Sequence, residues 1–308
     1  MSSSQPFISI DYWLSIADIQ IITHYKNRTH NYDYSDEIKN AFVNKQKIII
    51  FLKSDLLETY IPMLLRIEEE FILITGSNDD HCMPYMYFPC RSKMLQRSVE
   101  NLVNKKQLVL WLTKNRCYEH NKIYPIPLGP KWQWKTTHFN GESKDSHMAI
   151  FNKFCKNPKE KMYDNNLKKN LLYFNYASHT TNAPLYSTHR GIREKIKKIV
   201  SKQFKWDSNV PFDKYIEYLQ TCKFSISPPG RGIDTHRTWE SLMVGTIPLM
   251  INTTIDPLFD NLPVLYVDKW EIITPEYLEM KYKEIMEKEY DFSILYTDYW
   301  NKLLNITN

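Results

Sequence analysis

The chain is poor in glycine and cysteine and has no long apolar run. Its seven glycines in 308 residues, set beside abundant Lys, Asn, Ile and Tyr, point to an AT-rich genome of microbial or viral kind. No Gly-x-Gly-x-x-Gly follows the first expected strand, which argues against a dinucleotide-binding dehydrogenase. The five cysteines (Cys82, Cys90, Cys117, Cys155, Cys222) are odd in number and widely scattered, and no two form Cys-x-x-Cys. That spacing indicates neither a zinc site nor a disulfide framework, so reduced thiols in a cytosol-like compartment are expected. Apolar runs such as residues 48–52 are far too short to span a bilayer. The opening MSSSQPFISIDYW has no basic stretch leading into an apolar core, so no signal peptide is expected. Repeats of solenoid period and low-complexity tracts are missing as well.

What is present is the composition of a soluble globular protein, 43% hydrophobic and 24% charged. The length favours two domains, with one large α/β domain still open. The net charge of +5 is mild. Basic residues gather at Lys105-Lys106, at Lys168-Lys169 and through residues 193–198, and each group reads as a solvated helix face. None interleaves with aromatics as a nucleic-acid platform does, so no nucleic-acid partner is expected. A mild positive balance suits small anionic ligands.

Hydrophobic patterning divides the chain into two strand–helix series. Residues 1–45 are mixed and polar, with a loop at 27–36. Residues 47–53 (KIIIFLK) read as a buried strand and 70–75 (EFILIT) as a second. Between them 56–69 read as a helix, which Pro62 should either kink or begin. The loop 76–81 leaves the second strand at its C-terminal end. A helix at 92–103, a strand at 107–112 and a short extended piece at 122–128 follow. Residues 131–160 read as connecting structure, partly helical near 148–154. The second series runs through a strand at 171–175, helices at 190–201 and 212–221, and a strand at 264–267, and closes with helices at 275–286 and 294–304. Alternation of this kind predicts parallel sheets with helices on both faces.

The most informative stretch is 224–251, FSISPPGRGIDTHRTWESLMVGTIPLMI. A short strand ends at Ser227, because Pro228-Pro229 cannot continue it. Gly230 and Gly232 allow a tight turn, Asp234 or Thr235 can cap a new helix, and Gly245 can end it. Trp239, Leu242 and Met243 share one helix face, which should be buried. Such a turn aims backbone N–H groups and the positive end of a helix at one point, where an anion can sit. Arg231 and Arg237 add two cations suited to phosphate. Glu240, three residues beyond Arg237, can accept hydroxyls such as the vicinal pair of a ribose. Together these residues describe a nucleotide diphosphate site. The alternative is an ordinary strand–helix turn with a surface Arg–Glu pair.

This segment resembles the donor half of the exostosin-like glycosyltransferases. The resemblance rests on Ser227-Pro228-Pro229-Gly230, on Arg237-Thr238-Trp239-Glu240 and on Gly245-Thr246-Ile247-Pro248. Asp256-Pro257-Leu258, Asn261-Leu262-Pro263-Val264, the run Ile74-Thr75-Gly76-Ser77-Asn78-Asp79-Asp80 and Ile126-Pro127-Leu128-Gly129 extend it from about residue 48 to 270. It implies an α/β, GT-B-like architecture of two facing Rossmann-like parallel-sheet domains with a cleft between them. Residues 1–165 would form the acceptor-side domain and 166–290 the donor domain, with 291–308 a closing helix able to cross back to the first. The activity implied is transfer of a hexose or pentose from a nucleotide donor, a UDP-sugar, to a hydroxyl of a glycan or glycoconjugate, with inversion of the anomeric centre.

The chain has no Asp-x-Asp, which disfavours a metal-held diphosphate, so no divalent ion and no cofactor are expected. Cationic side chains would take the metal's place. Donor contacts are expected from Ser227, Gly230, Arg231, Gly232, His236, Arg237 and Glu240. Asn175, Asn182 and Arg190 resemble cleft-lining positions. Tyr176 could stack on a base or belong to the core. Asp79, Asp80 and His81, at the end of a first-series strand, are the candidates for the base that takes the acceptor proton, and could equally close an Asx turn. His138 and His236 are lesser candidates. The animal family members are anchored in the Golgi membrane; here a soluble, cytoplasmic relative is expected. The rival reading is a catalytically inactive nucleotide- or carbohydrate-binding protein that retains the fold.

Overall fold

A computed structural model describes residues 7–22, 32–76, 93–131, 144–177 and 191–306. The first series comprises α1 (Ile10–Ser15), β1 (Ile19–Ile21), α2 (Ser35–Phe42), β2 (Lys47–Lys53), α3 (Leu57–Leu64), β3 (Glu70–Gly76), α4 (Lys93–Asn104), β4 (Leu108–Thr113) and β5 (Ile123–Pro125). Then come α5 (Lys144–Phe154) and α6 (Pro158–Tyr163). The second series is β6 (Asn170–Tyr173), α7 (Ile192–Val200), α8 (Phe212–Leu219), β7 (Cys222–Ile226), α9 (His236–Met243), β8 (Ile247–Met250) and β9 (Leu265–Tyr266), closed by α10 (Pro275–Met286) and α11 (Thr297–Leu304).

The architecture is α/β with two wholly parallel sheets, ordered β1-β2-β3-β4-β5 and β6-β7-β8-β9. Because side chains alternate along a strand, each apolar run serves two layers. In the first sheet Ile48, Ile50 and Leu52 are buried with α2, α3 and α4, while Ile49, Phe51, Ile72 and Ile74 join the opposite cluster. On that side lies α1, with α11 against it: Trp13 meets Trp300 edge-on at 5.0 Å, and the Tyr12 hydroxyl donates to Asn301 Oδ1 at 2.9 Å. Neither strand order reverses among the described residues, so neither sheet has the switch point of a doubly wound fold.

Helix α3 is shorter than its pattern predicts. Pro62 lies inside it and supplies no N–H to the preceding turn, and the helix stops at Leu64. Helices α1 and α2 and strand β1 occupy the polar N-terminal stretch where no regular element is expected. Helices α5 and α6, within the expected 1–165 unit, pack on the second sheet's helices and loops: His147 stacks on Phe212 of α8 at 4.2 Å, and α6 abuts Gly245. Gly245 ends α9 as expected, at φ +68°, with its N–H on Leu242 O and the Thr246 N–H on Ser241 O. A methyl group there would lie 2.5 Å from Pro158 O, so the glycine also seats α6.

Lys168, expected on a solvated face, is buried at the end of the second sheet where β6 begins. Its Nζ donates to Gln220 O at 2.7 Å, Val244 O at 3.1 Å and Thr246 Oγ1 at 3.1 Å. The two carbonyls cap α8 and α9, so the ammonium sits on the negative ends of both helices. Burial nevertheless pulls its pKa down to about 7. Between that value and the ordinary lysine range the unfolded chain holds a proton that the folded chain has shed, so this residue's contribution to stability rises with pH. Lys168→Met lacks that dependence. Urea unfolding of both proteins at about pH 7 and about pH 9.5 should show the difference moving in favour of the wild type at the higher pH. A constant difference would contradict the assignment.

Candidate functional site

The candidate site lies where β6 and β7 end and α9 begins. Ser227 continues β7 by donating its N–H to Leu249 O. The two prolines then break the ladder, and Gly230 N–H closes the turn on Gly232 O. Arg231 is exposed at the tip of this turn, with Gly230, Gly232 and His236 half-buried around it.

Arg237 is the centre of the arrangement. Its guanidinium lies between two aromatic rings, 4.8 Å from the Tyr173 centroid and 4.4 Å from that of Tyr215. Nη1 donates to Asn175 O at 2.9 Å, whereas the buried Nε has no hydrogen-bond partner among the described residues. Burial works against its charge, but Tyr215, Tyr173 and Glu240 outweigh it and raise the pKa further. Asn175 is itself fixed, its amide donating to Asp207 O at 2.7 Å and Asn209 Oδ1 at 3.1 Å. It therefore acts here through its carbonyl. A permanent cation with an unmet donor is a place for an oxyanion.

Glu240 is 4% exposed and already engaged. Oε2 accepts the Tyr215 hydroxyl at 2.7 Å, and Oε1 accepts the Lys131 N–H at 3.2 Å. Lys131 belongs to the segment after β5, so the first series reaches into this site. The same segment holds His236, whose Nδ1–H donates to Gly129 O at 2.8 Å, and Asp234, which accepts the Leu128 N–H at 2.7 Å. Asn115 Oδ1, after β4, accepts the Asp234 N–H at 2.9 Å. Arg116 and Thr254 add a reciprocal pair, Nε to Thr254 O at 3.0 Å and the threonine hydroxyl to Arg116 O.

Several expectations change. Neither Asp234 nor Thr235 caps α9 through its side chain: Asp234 binds Trp239 Nε1 and Leu128, and Thr235 joins a buried hydroxyl cluster with Ser227 and Thr238. Ser227 is 2% exposed and committed to that cluster, so its hydroxyl is not a ready donor contact. Tyr176 is core, its hydroxyl donating to Arg193 O at 2.7 Å and its ring packed against Trp206. Asp79, Asp80, His81, His138, Asn182 and Arg190 lie outside the described residues.

Arg193, read as part of a solvated basic run, lies instead under the turn. It donates from Nε to Pro229 O at 2.9 Å, from Nη1 to Ala177 O at 2.8 Å and from Nη2 to Pro228 O at 3.2 Å. Burial and then Arg237 lower its pKa to about 10. Tyr173 and Tyr215 were also missed, because a tyrosine on a strand or an amphipathic helix gives no signal beyond core.

Among the described residues no group of three or more His, Cys, Asp or Glu is placed to hold a metal, and no helix is long and apolar enough to cross a membrane. No protein-family model matches the chain, and no curated protein matches it.

Proposed function

We propose that the chain is a glycosyltransferase of GT-B kind that binds the diphosphate of a nucleotide sugar, a UDP-sugar, at the turn before α9. The observation that carries this reading is Arg237, held between two tyrosines beside the start of a helix, with a buried Nε–H that has no partner among the described residues. In the reaction the acceptor oxygen attacks the anomeric carbon, the bond from that carbon to the diphosphate breaks, and the acceptor proton passes to a base. Negative charge gathers on the departing diphosphate, where Arg237, Arg231 and the first amides of α9 stabilise it without a metal. Glu240 would accept ribose hydroxyls by exchanging them for its bonds to Tyr215 and Lys131. Attack from the first unit on the face opposite the leaving group would invert the centre, with Asp79, Asp80 or His81 as the base.

Isothermal calorimetry with UDP tests the reading directly. One site should be titrated, with the same affinity in excess EDTA; no binding sinks the nucleotide reading, and binding lost to EDTA sinks the metal-free one. Slow hydrolysis of a UDP-sugar would separate a transferase from an inactive binding protein. Glu240→Ala should weaken UDP binding by about 1–3 kcal/mol, the value of hydrogen bonds to a charged group. A folded variant of unchanged affinity takes Glu240 out of the site.

A further inference from the structure

We infer that Arg193 and Gly230 form a paired brace that sets the shape of the turn at 228–230, making Arg193 a positioning residue and leaving Arg237 as the anion's direct partner. The inference rests on the anion-binding reading of this turn. Pro228 and Pro229 have no N–H groups, so the turn cannot be tied down by donors of its own at those positions. What ties it down is the Arg193 fork, which spans Pro228 O, Pro229 O and, across the gap to the segment after β6, Ala177 O. The three carbonyls are taken by three different nitrogens of one planar group, a spread that the single nitrogen of a lysine does not match. The Tyr176 hydroxyl pins the Arg193 carbonyl at 2.7 Å, and its ring lies 5.7 Å from the guanidinium.

Gly230 is what lets the fork in. A Cβ at this position would stand 2.6 Å from Arg193 Nη2 and 3.1 Å from Cζ. The obstructed atoms are the tip of a flexible side chain, so alanine there need not break the backbone; it displaces the guanidinium from its carbonyls. The two arginines thus divide the work. Arg193 gives the bonds described above to main-chain oxygens, while Arg237 keeps an Nε–H with no partner among the described residues.

A double-mutant cycle on the full chain decides this, using Gly230→Ala, Arg193→Ala, the double variant and Arg193→Lys. In urea, Gly230→Ala should destabilise the wild type clearly and the Arg193→Ala background much less, since the space is then vacant. Arg193→Lys should behave like Arg193→Ala. Additive effects, or a wild-type-like lysine variant, overturn the brace. Calorimetry with UDP and with inorganic pyrophosphate should then show all three single variants weaker by about tenfold. The salt dependence of binding should stay that of the wild type, because no charge pair to the phosphate is lost. Wild-type affinity in the lysine variant, with a reduced salt dependence in the alanine one, would make Arg193 a direct ligand and overturn the inference. If the wild type binds neither probe, the nucleotide reading and the positioning role both fall, and the urea cycle still judges the Arg193–Gly230 coupling.

Discussion

Replacing Asp234 with alanine should cost about 3 kcal/mol or more of stability, because two buried donors would lose their acceptor at once. The side chain is 5% exposed and takes the Leu128 N–H at 2.7 Å and the Trp239 indole N–H at 2.8 and 3.0 Å. Trp239 is fully buried, and Leu128 belongs to the segment that reaches across from the first series. Urea unfolding measures the loss; a change below about 1 kcal/mol would mean the contact is slack.

The same carboxylate makes the junction sensitive to pH. Burial raises its pKa to about 7, against the pull of the hydrogen bonds from Leu128 and Trp239 and of the Lys114 charge. Between the ordinary carboxylate range near pH 4 and pH 7, the folded chain therefore holds a proton that the unfolded chain has lost. The contribution of Asp234 to stability is largest below that window and falls as pH rises through it to about 7. Asp234→Asn cannot titrate, so the gap between wild type and variant should be wider at about pH 5 than at about pH 8. This window lies below that of Lys168, so the two residues can be distinguished.

The sequence was most legible where one element carries its own signals. The strand, turn, helix and strand around α9 follow from Pro228-Pro229, the spacing of Trp239, Leu242 and Met243, and Gly245; α10 begins and ends where its pattern says. Residues 7–22 are harder. Helix α1 has six residues and β1 three, too few for any period to show. In the candidate site, Arg237 and Glu240 could be placed on one helix side by spacing alone. What they touch could not, since Asn175 lies 62 residues from Arg237, and Tyr215 and Lys131 lie 25 and 109 from Glu240. Asp234 misled for the same reason. An Asp before a helix is ordinarily a cap, and its real acceptor duty to Leu128 spans 106 residues.

Methionine in place of Arg237 should weaken UDP binding strongly and the fold by a smaller amount. The side chain keeps the volume between Tyr173 and Tyr215 but removes the charge and the Nε–H that has no partner among the described residues. An unmet buried donor costs about 1–3 kcal/mol, so its removal offsets part of the loss of the Asn175 bond and of the ring contacts. The buried Glu240 carboxylate, however, loses the cation it is coupled to, and removing one partner of a buried charge pair is destabilising. Stability in urea should therefore fall, by about 2 kcal/mol. Affinity for UDP should fall by about a hundredfold, as expected for two charge-assisted bonds to phosphate oxygens. A destabilised chain with unchanged UDP affinity would make Arg237 a structural residue stacked between tyrosines and would leave the turn before α9 without its anion partner.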